Sequence, residues 1–174
     1  MENVEIKARC PDLAAMARAA AAAGAVMEST FDQVDTYFNV STGRLKLRQI
    51  DGNGQELIYY RRPDDSSPKL SRYDRIPVAP GQKLDFVLEQ ALGIKTVVRK
   101  RRQLWRLDNL RIHLDEVEGL GTFVELEVQV ISGRDVAGCR AQAASLMNAL
   151  GIRPTDLLAG SYADLMGQSL TQNA

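Results

Sequence analysis

The sequence predicts an α+β fold in which eight antiparallel strands curl toward a barrel with helices on its flanks. Three observations predict it. First, stretch after stretch alternates apolar and charged residues with period two, as in NVEIKAR (3–9), GRLKLRQ (43–49) and FVELEVQV (123–130). That is the pattern of a strand with two unlike faces. Second, the joints between these stretches are short turns, Asp51-Gly52-Asn53-Gly54 above all, which suit hairpins and not crossovers. Third, the alanine-rich run after Asp12 and the stretch between Gly133 and Gly151 have helical and not strand character, and supply layers to cover an apolar sheet face.

In chain order, a strand over 3–9 carries Val4, Ile6 and Ala8 on one face and Asn3, Glu5, Lys7 and Arg9 on the other. A helix follows over 12–23, then strands near 26–39, 44–50, 55–62 and 70–78. Pro80-Gly81 opens a short helix over about 82–91. Strands near 95–106, 109–118 and 122–132 come next, separated by turns at Asp108-Asn109 and Gly119-Leu120-Gly121. A helix over 134–150 and a final helical piece over 154–167, with Pro154 in its first turn, complete the chain. Neither an internal repeat nor a low-complexity linker divides it, so residues 1–174 read as a single domain, long enough at 45% hydrophobic content to build a core.

Formal net charge is zero, which argues against a nucleic-acid or membrane partner recognised by overall charge. Sixteen of the basic residues are Arg and six are Lys, and Arg offers a rigid fork of donors for carboxylate or phosphate. Cys10 and Cys139 lack metal-ligand or redox spacing and read as reduced thiols of a cytoplasmic protein. The alanine-rich run is too short to span a bilayer and contains Arg18, so it reads as a helix and not as a signal peptide or anchor.

Strand parity carries the functional reading. Lys46 and Arg48 oppose Leu45 and Leu47; Arg111, His113 and Asp115 oppose Ile112 and Leu114. Glu125, Glu127 and Gln129 oppose Val124, Leu126, Val128 and Val130. Lys100 and Arg102 are in phase, although Arg99 and Arg101 make the other face of that strand basic too. In a closed barrel one set of faces lines the interior. With helices over the apolar outside, the charges converge on a lumen, and a lumen that polar is stable only when hydrated or filled by a complementary ligand. Lys and Arg beside a few carboxylates suit an oligophosphate with divalent cations.

The ordered set NVEIKAR, DTYF (35–38), LKLR (45–48), VRKRR (98–102), LDEVEGLGTFVELEV (114–128) and LGIRPTDLLAGSYADLM (150–166) resembles the CYTH superfamily, the triphosphate tunnel metalloenzymes, over essentially the whole chain. That superfamily includes class IV adenylyl cyclases and thiamine triphosphatases, and the C-terminal stretch looks like the cyclase branch. The resemblance implies an eight-stranded tunnel that binds a triphosphate through basic side chains and Mg²⁺ or Mn²⁺ through acidic ones. It carries Lys7, Lys46, Arg48, Arg61, Lys100 and Arg102 over as phosphate contacts, with Arg72 as a looser match. It carries Glu5, Asp115, Glu125 and Glu127 over as metal ligands, and Lys7, Tyr37 and Arg61 as candidate catalytic groups. His113 reads as a wall residue, since no second imidazole lies nearby in sequence. Cyclase relatives imply a homodimer.

Two departures from the family pattern bear on chemistry. Asn3 replaces the family's first acidic residue, which weakens the case for a second metal at that corner. Arg61 stands where related enzymes place a Lys that assists a Tyr; because Arg stays protonated, a Tyr37–Arg61 pair is a poor general base. Three activities fit: a metal-dependent triphosphatase, which is ranked first; a class IV adenylyl cyclase; and a non-catalytic polyphosphate or nucleotide binder. Removing Arg48 or Arg102 is expected to weaken triphosphate binding by about 1.5–3 kcal/mol each and to leave the fold intact.

Overall fold

A computed structural model describes residues 1–51 and 54–172; Gly52 and Asn53, the centre of the expected hairpin turn, lie outside the described residues. Eight strands, β1 (Glu2–Arg9), β2 (Val26–Phe38), β3 (Arg44–Ile50), β4 (Gly54–Arg61), β5 (Lys69–Val78), β6 (Ile94–Leu107), β7 (Leu110–Val117) and β8 (Gly121–Gln129), close into a barrel in the order β1-β5-β4-β3-β2-β6-β7-β8. All neighbours are antiparallel. Closure falls to β1, which pairs with β5 over Glu2–Glu5 and with β8 over Asn3–Arg9. The turn between β6 and β7 is the two residues Asp108 and Asn109, with Asp108 at φ 53°, a left-handed conformation that Asp tolerates.

Helices α1 (Leu13–Ala22) and α3 (Val136–Ala149) lie on the outside of β1, β7 and β8. Asp12 caps α1 by accepting from Ala15 N at 2.8 Å, and Asp135 caps α3 by accepting from Gly138 N at 2.8 Å. Between helices and sheet sit Val4, Ile6 and Ala8 from β1, Leu110, Ile112 and Leu114 from β7, and Val124, Leu126 and Val128 from β8, all buried against Ala20, Cys139, Ala143 and Leu146. This core is therefore outside the barrel, which leaves the inward faces free to be polar. Each fully buried Leu or Val contributes about 1.5–3 kcal/mol. Truncating Leu126, which is 0% exposed, to alanine is expected to destabilise the protein by about 2–5 kcal/mol in urea unfolding. A cost below about 1 kcal/mol would mean that the outer face is not the core.

Helix α2 (Leu84–Leu92) rests on β2, and α4 (Tyr162–Gln172) on β6. The single helical piece expected over 154–167 is divided in two. Pro154–Asp156 forms one 3-10 turn, the chain then runs extended, and α4 begins at Tyr162. The interruption has a backbone cause: beyond Glu5, β1 has no β5 partner, and the C-terminal segment takes that place. Leu157 bridges to Ala8, and Leu158 N donates to Lys7 O at 2.8 Å. Ser161 and Asp164 then start α4 as a capping box, Asp164 accepting from Ser161 N at 2.9 Å and Asp164 N donating to Ser161 Oγ at 3.3 Å. Among the described residues no helix is long and apolar enough to cross a membrane.

Candidate active site

The inward faces enclose a cavity with about 120 Å³ of water-accessible volume, lined by side chains from all eight strands and from the start of α4. Its walls hold the cations Lys7, Lys46, Arg48, Arg62, Arg75, Lys100, Arg102 and Arg111 against the carboxylates Glu5, Asp35, Glu125 and Glu127, with Tyr37, Tyr60 and Tyr162 between them. Each is delivered by parity. Asn3, Glu5 and Lys7 point in from β1 because Val4, Ile6 and Ala8 are claimed by the outer core. On β6, Lys100 and Arg102 point in while Arg99 and Arg101 are exposed, and Arg101 pairs with Asp32 on the outer surface at 3.5 Å.

The wall charges form three clusters. In the first, Asp35 accepts from Lys46 Nζ at 2.9 Å, from Arg48 at 2.8 and 2.9 Å, and from Gln33 at 3.1 Å. Burial opposes ionisation of Asp35, but Arg48 and Lys46 hold it well below the usual carboxylate range. In the second, Asp115 accepts from Arg102 at 2.6 and 2.5 Å, from Lys100 at 3.2 Å and from the Tyr162 hydroxyl at 2.9 Å. In the third, Glu125 meets Lys7 and, at 2.5 Å, Arg102, while Glu127 meets Arg111 at 3.2 Å. Glu5, apart from these, is paired with Arg62.

Burial acts on the lysines in the opposite sense. It lowers Lys46 to about 7, with Arg48 adding to the effect, and lowers Lys7 to about 8 despite Glu125. Lys100 is lowered by burial and by Arg102. Tyr37 is pushed well above its ordinary value by burial, Tyr60 and Asp35. Because the lysines bind protons less tightly folded than unfolded, the unfolded chain holds more protons between about pH 7 and 10, and stability rises with pH across that window. The empty protein is therefore expected to melt at higher temperature at pH 9 than at pH 6.5, with a smaller rise in Lys46→Met. A flat or falling profile would mean that these amines are not desolvated.

Of the phosphate contacts expected from sequence, Lys7, Lys46, Arg48, Lys100 and Arg102 line the cavity and Arg61 and Arg72 do not. On β4 the inward residues are Ile58 and Tyr60, followed by Arg62, so Arg61 faces outward and donates to the Tyr59 hydroxyl at 2.6 Å. Arg72 lies between inward-facing Ser71 and Tyr73, has a side chain 72% exposed, and pairs with Glu2 at 2.7 Å. Of the expected metal ligands, Glu125 and Glu127 come together while Asp115, 0% exposed, is taken up by Lys100, Arg102 and Tyr162. His113 instead joins the two glutamates: one ligand atom from each of the three lies within 4.8 Å of the others. His113 Nδ1 and Asn3 Oδ1 are buried and unpartnered, so the donor set fits a divalent cation. Asp35, Arg62 and Arg75 were missed, although all are in phase with cavity residues on their strands.

The CYTH domain model matches residues 1–162, from the first strand to the first residue of α4. The chain is 28% identical to the adenylate cyclase CyaB of Aeromonas hydrophila over 182 aligned residues, covering 99% of this chain and 92% of that protein. A protein from Pyrococcus horikoshii OT3 superposes with a TM-score of 0.82 at 23% identity, covering 94% of this chain and 98% of that one. A Hippeastrum protein described as a candidate adenylyl cyclase with a dominant triphosphatase activity superposes with a TM-score of 0.64 at 18% identity, with 96% of each chain covered. A match that runs through every strand whose inward face carries these charges leaves one assignment: the chain belongs to the CYTH domain family.

Proposed function

We propose that the barrel binds the triphosphate tail of a small molecule and hydrolyses a phosphoanhydride bond in it with the help of a divalent cation, Mg²⁺ or Mn²⁺. The observation that supports this reading is the surplus of cations around one cavity, eight against the four carboxylates that line it and Asp115 buried behind them. A polyanion threaded among them replaces the lumen's internal repulsion with charge-assisted hydrogen bonds. Arg48, Arg62 and Arg102 offer fixed forks to the phosphate oxygens, and Lys7, Lys46 and Lys100 offer adjustable point charges. Phosphoryl transfer asks the protein mainly for positioning and charge stabilisation, and a wall prearranged by ion pairs supplies both.

Glu125 and Glu127 would hold the cation with His113. When bound, the cation supplies Lewis-acid neutralisation of charge on the phosphate oxygens. Tyr37 keeps its proton at neutral pH, and Arg61 is outside the cavity, so the expected Tyr37–Arg61 pair does not serve as a base. Lys46 Nζ, 3.4 Å from the Tyr37 hydroxyl and held near neutrality, is the wall group best suited to hold or release a proton there.

A second reading, cyclisation of ATP to cyclic AMP and pyrophosphate, is favoured by the 28% identity to the Aeromonas hydrophila adenylate cyclase. Incubation of the pure protein with tripolyphosphate, thiamine triphosphate and ATP, each with Mg²⁺ or Mn²⁺, separates the two. Phosphate release supports hydrolysis, cyclic AMP supports cyclisation, and tight binding without turnover would reduce the barrel to a binding module.

A further inference from the structure

We propose that His113 is a direct ligand of the divalent cation, with the Asn3 amide oxygen as a further donor, and that this mixed nitrogen–oxygen set makes the site favour Mn²⁺ and the later first-row ions over Mg²⁺. The inference rests on the cation-dependent reading above and deepens it by naming the donors and the metal class.

The geometry comes from the register of two adjacent strands. His113 of β7 lies directly opposite Glu125 of β8, and Glu127 follows two residues on, on the same face. His113 Nδ1 is 3.6 Å from one Glu125 oxygen and 3.8 Å from one Glu127 oxygen. Atoms that share an ion at about 2.0–2.2 Å each are no more than about 4.4 Å apart. Both His–Glu separations fall inside that span, and the three ligand atoms together lie within 4.8 Å of one another, so a small side-chain shift closes the set.

A second observation points to a ligand there. His113 is 5% exposed and its Nδ1 has no hydrogen-bond partner; Asn3 is 4% exposed and its Oδ1 has none either. An unpaired buried polar atom is costly, and Asn3 adjoins the same carboxylate, its Nδ2 donating to Glu127 at 3.4 Å, so that a half-turn of the amide brings Oδ1 to the carboxylate side. Lys7, Arg102 and Arg111 pair with the two glutamates yet bond to neither orphan. An electrophile seated between His113 Nδ1 and the two carboxylates would satisfy the imidazole lone pair, and the turned Asn3 amide would add its oxygen.

The donor types decide which ion. Mg²⁺ is held by oxygen and keeps several waters, whereas an imidazole nitrogen favours ions further along the Irving–Williams order. Two carboxylates with two neutral donors also balance a dication without leaving surplus negative charge beside an incoming triphosphate. Asn3 thereby has a use in place of an acidic residue.

The test is spectroscopic and needs no turnover. The full chain, stripped with chelator, is titrated with MnCl₂ and read by electron paramagnetic resonance, with and without tripolyphosphate. Electron spin-echo modulation from a directly bound ¹⁴N is expected, with Mg²⁺ displacing Mn²⁺ only at about tenfold or greater excess. In His113→Gln the nitrogen modulation is expected to vanish and Mn²⁺ affinity to fall by about 10–100-fold, with Mg²⁺ affinity much less affected. Should that variant not fold, the modulation in the unaltered protein decides alone. Bound Mn²⁺ without nitrogen modulation would overturn the ligand assignment while leaving a cation-dependent barrel. Binding of neither ion, even with tripolyphosphate, would overturn both.

Discussion

Arg102→Ala is expected to destabilise the empty protein by about 3–5 kcal/mol, the range for removing one partner of a buried ion pair. Considered from sequence, a lone arginine in a basic lumen looks dispensable, because its loss would relieve repulsion. The structure reverses that expectation. The Arg102 side chain is 4% exposed and bridges Asp115, which is 0% exposed, to Glu125. Removing it strands two carboxylates that burial alone would protonate; Arg102 is among the groups that keep both ionised below the usual carboxylate range. Urea unfolding of Arg102→Ala beside Arg102→Lys checks this, the lysine variant being expected to recover part of the loss. A loss of less than about 1 kcal/mol in the alanine variant would show that Lys100 and Lys7 suffice to balance the cluster.

Glu127→Gln is expected to lower cation-dependent turnover by roughly 100-fold or more, the upper part of the range seen when a metal site loses supporting contacts. It is also expected to leave cation-free triphosphate binding unchanged or tighter. The two effects separate because the substitution keeps the side chain's size and removes a negative charge from a lumen that must receive an anion. Glu127 suits the test better than Glu125, whose partners Lys7 and Arg102 tie it to the rest of the wall. Turnover measured against Mg²⁺ and Mn²⁺ concentration is the readout. Full activity with unchanged cation dependence would mean that the glutamates only balance Arg111 and its neighbours.

The barrel was legible because period-two alternation runs through β1 and the centres of β7 and β8, setting Val4, Ile6, Leu114, Val124 and Leu126 against charged or polar neighbours. It breaks only where Val117 and Phe123 turn inward to a second apolar cluster with Tyr37 and Tyr162. It was least legible in β4. There Leu57 and Ile58, then Tyr59 and Tyr60, then Arg61 and Arg62 come in like pairs, so a shift by one residue preserves the pattern and exchanges Arg61 for Arg62. Asp115 was misplaced for a different reason. It stands directly opposite Arg102 across β6 and β7, and cross-strand register is set by pairing between distant residues, not by either strand alone. Asp35 escaped notice because its partners lie on β3, where Arg48 is directly opposite it. The start of α4 was readable and overlooked, since Ser161 and Asp164 carry capping-box spacing.

If the triphosphate lies inside the barrel, two arginine variants must respond to it differently. Calorimetric titration of tripolyphosphate is to be compared in the unaltered protein, Arg48→Ala and Arg61→Ala. Arg48 faces the cavity and Arg61 faces away from it. Losing a charged hydrogen-bond partner of phosphate costs about 1.5–3 kcal/mol, or about 10- to 150-fold in affinity. That loss is expected for Arg48→Ala, and near-unaltered binding for Arg61→Ala. Binding that survives Arg48→Ala intact and collapses in Arg61→Ala would place the ligand on the outer surface and contradict the tunnel.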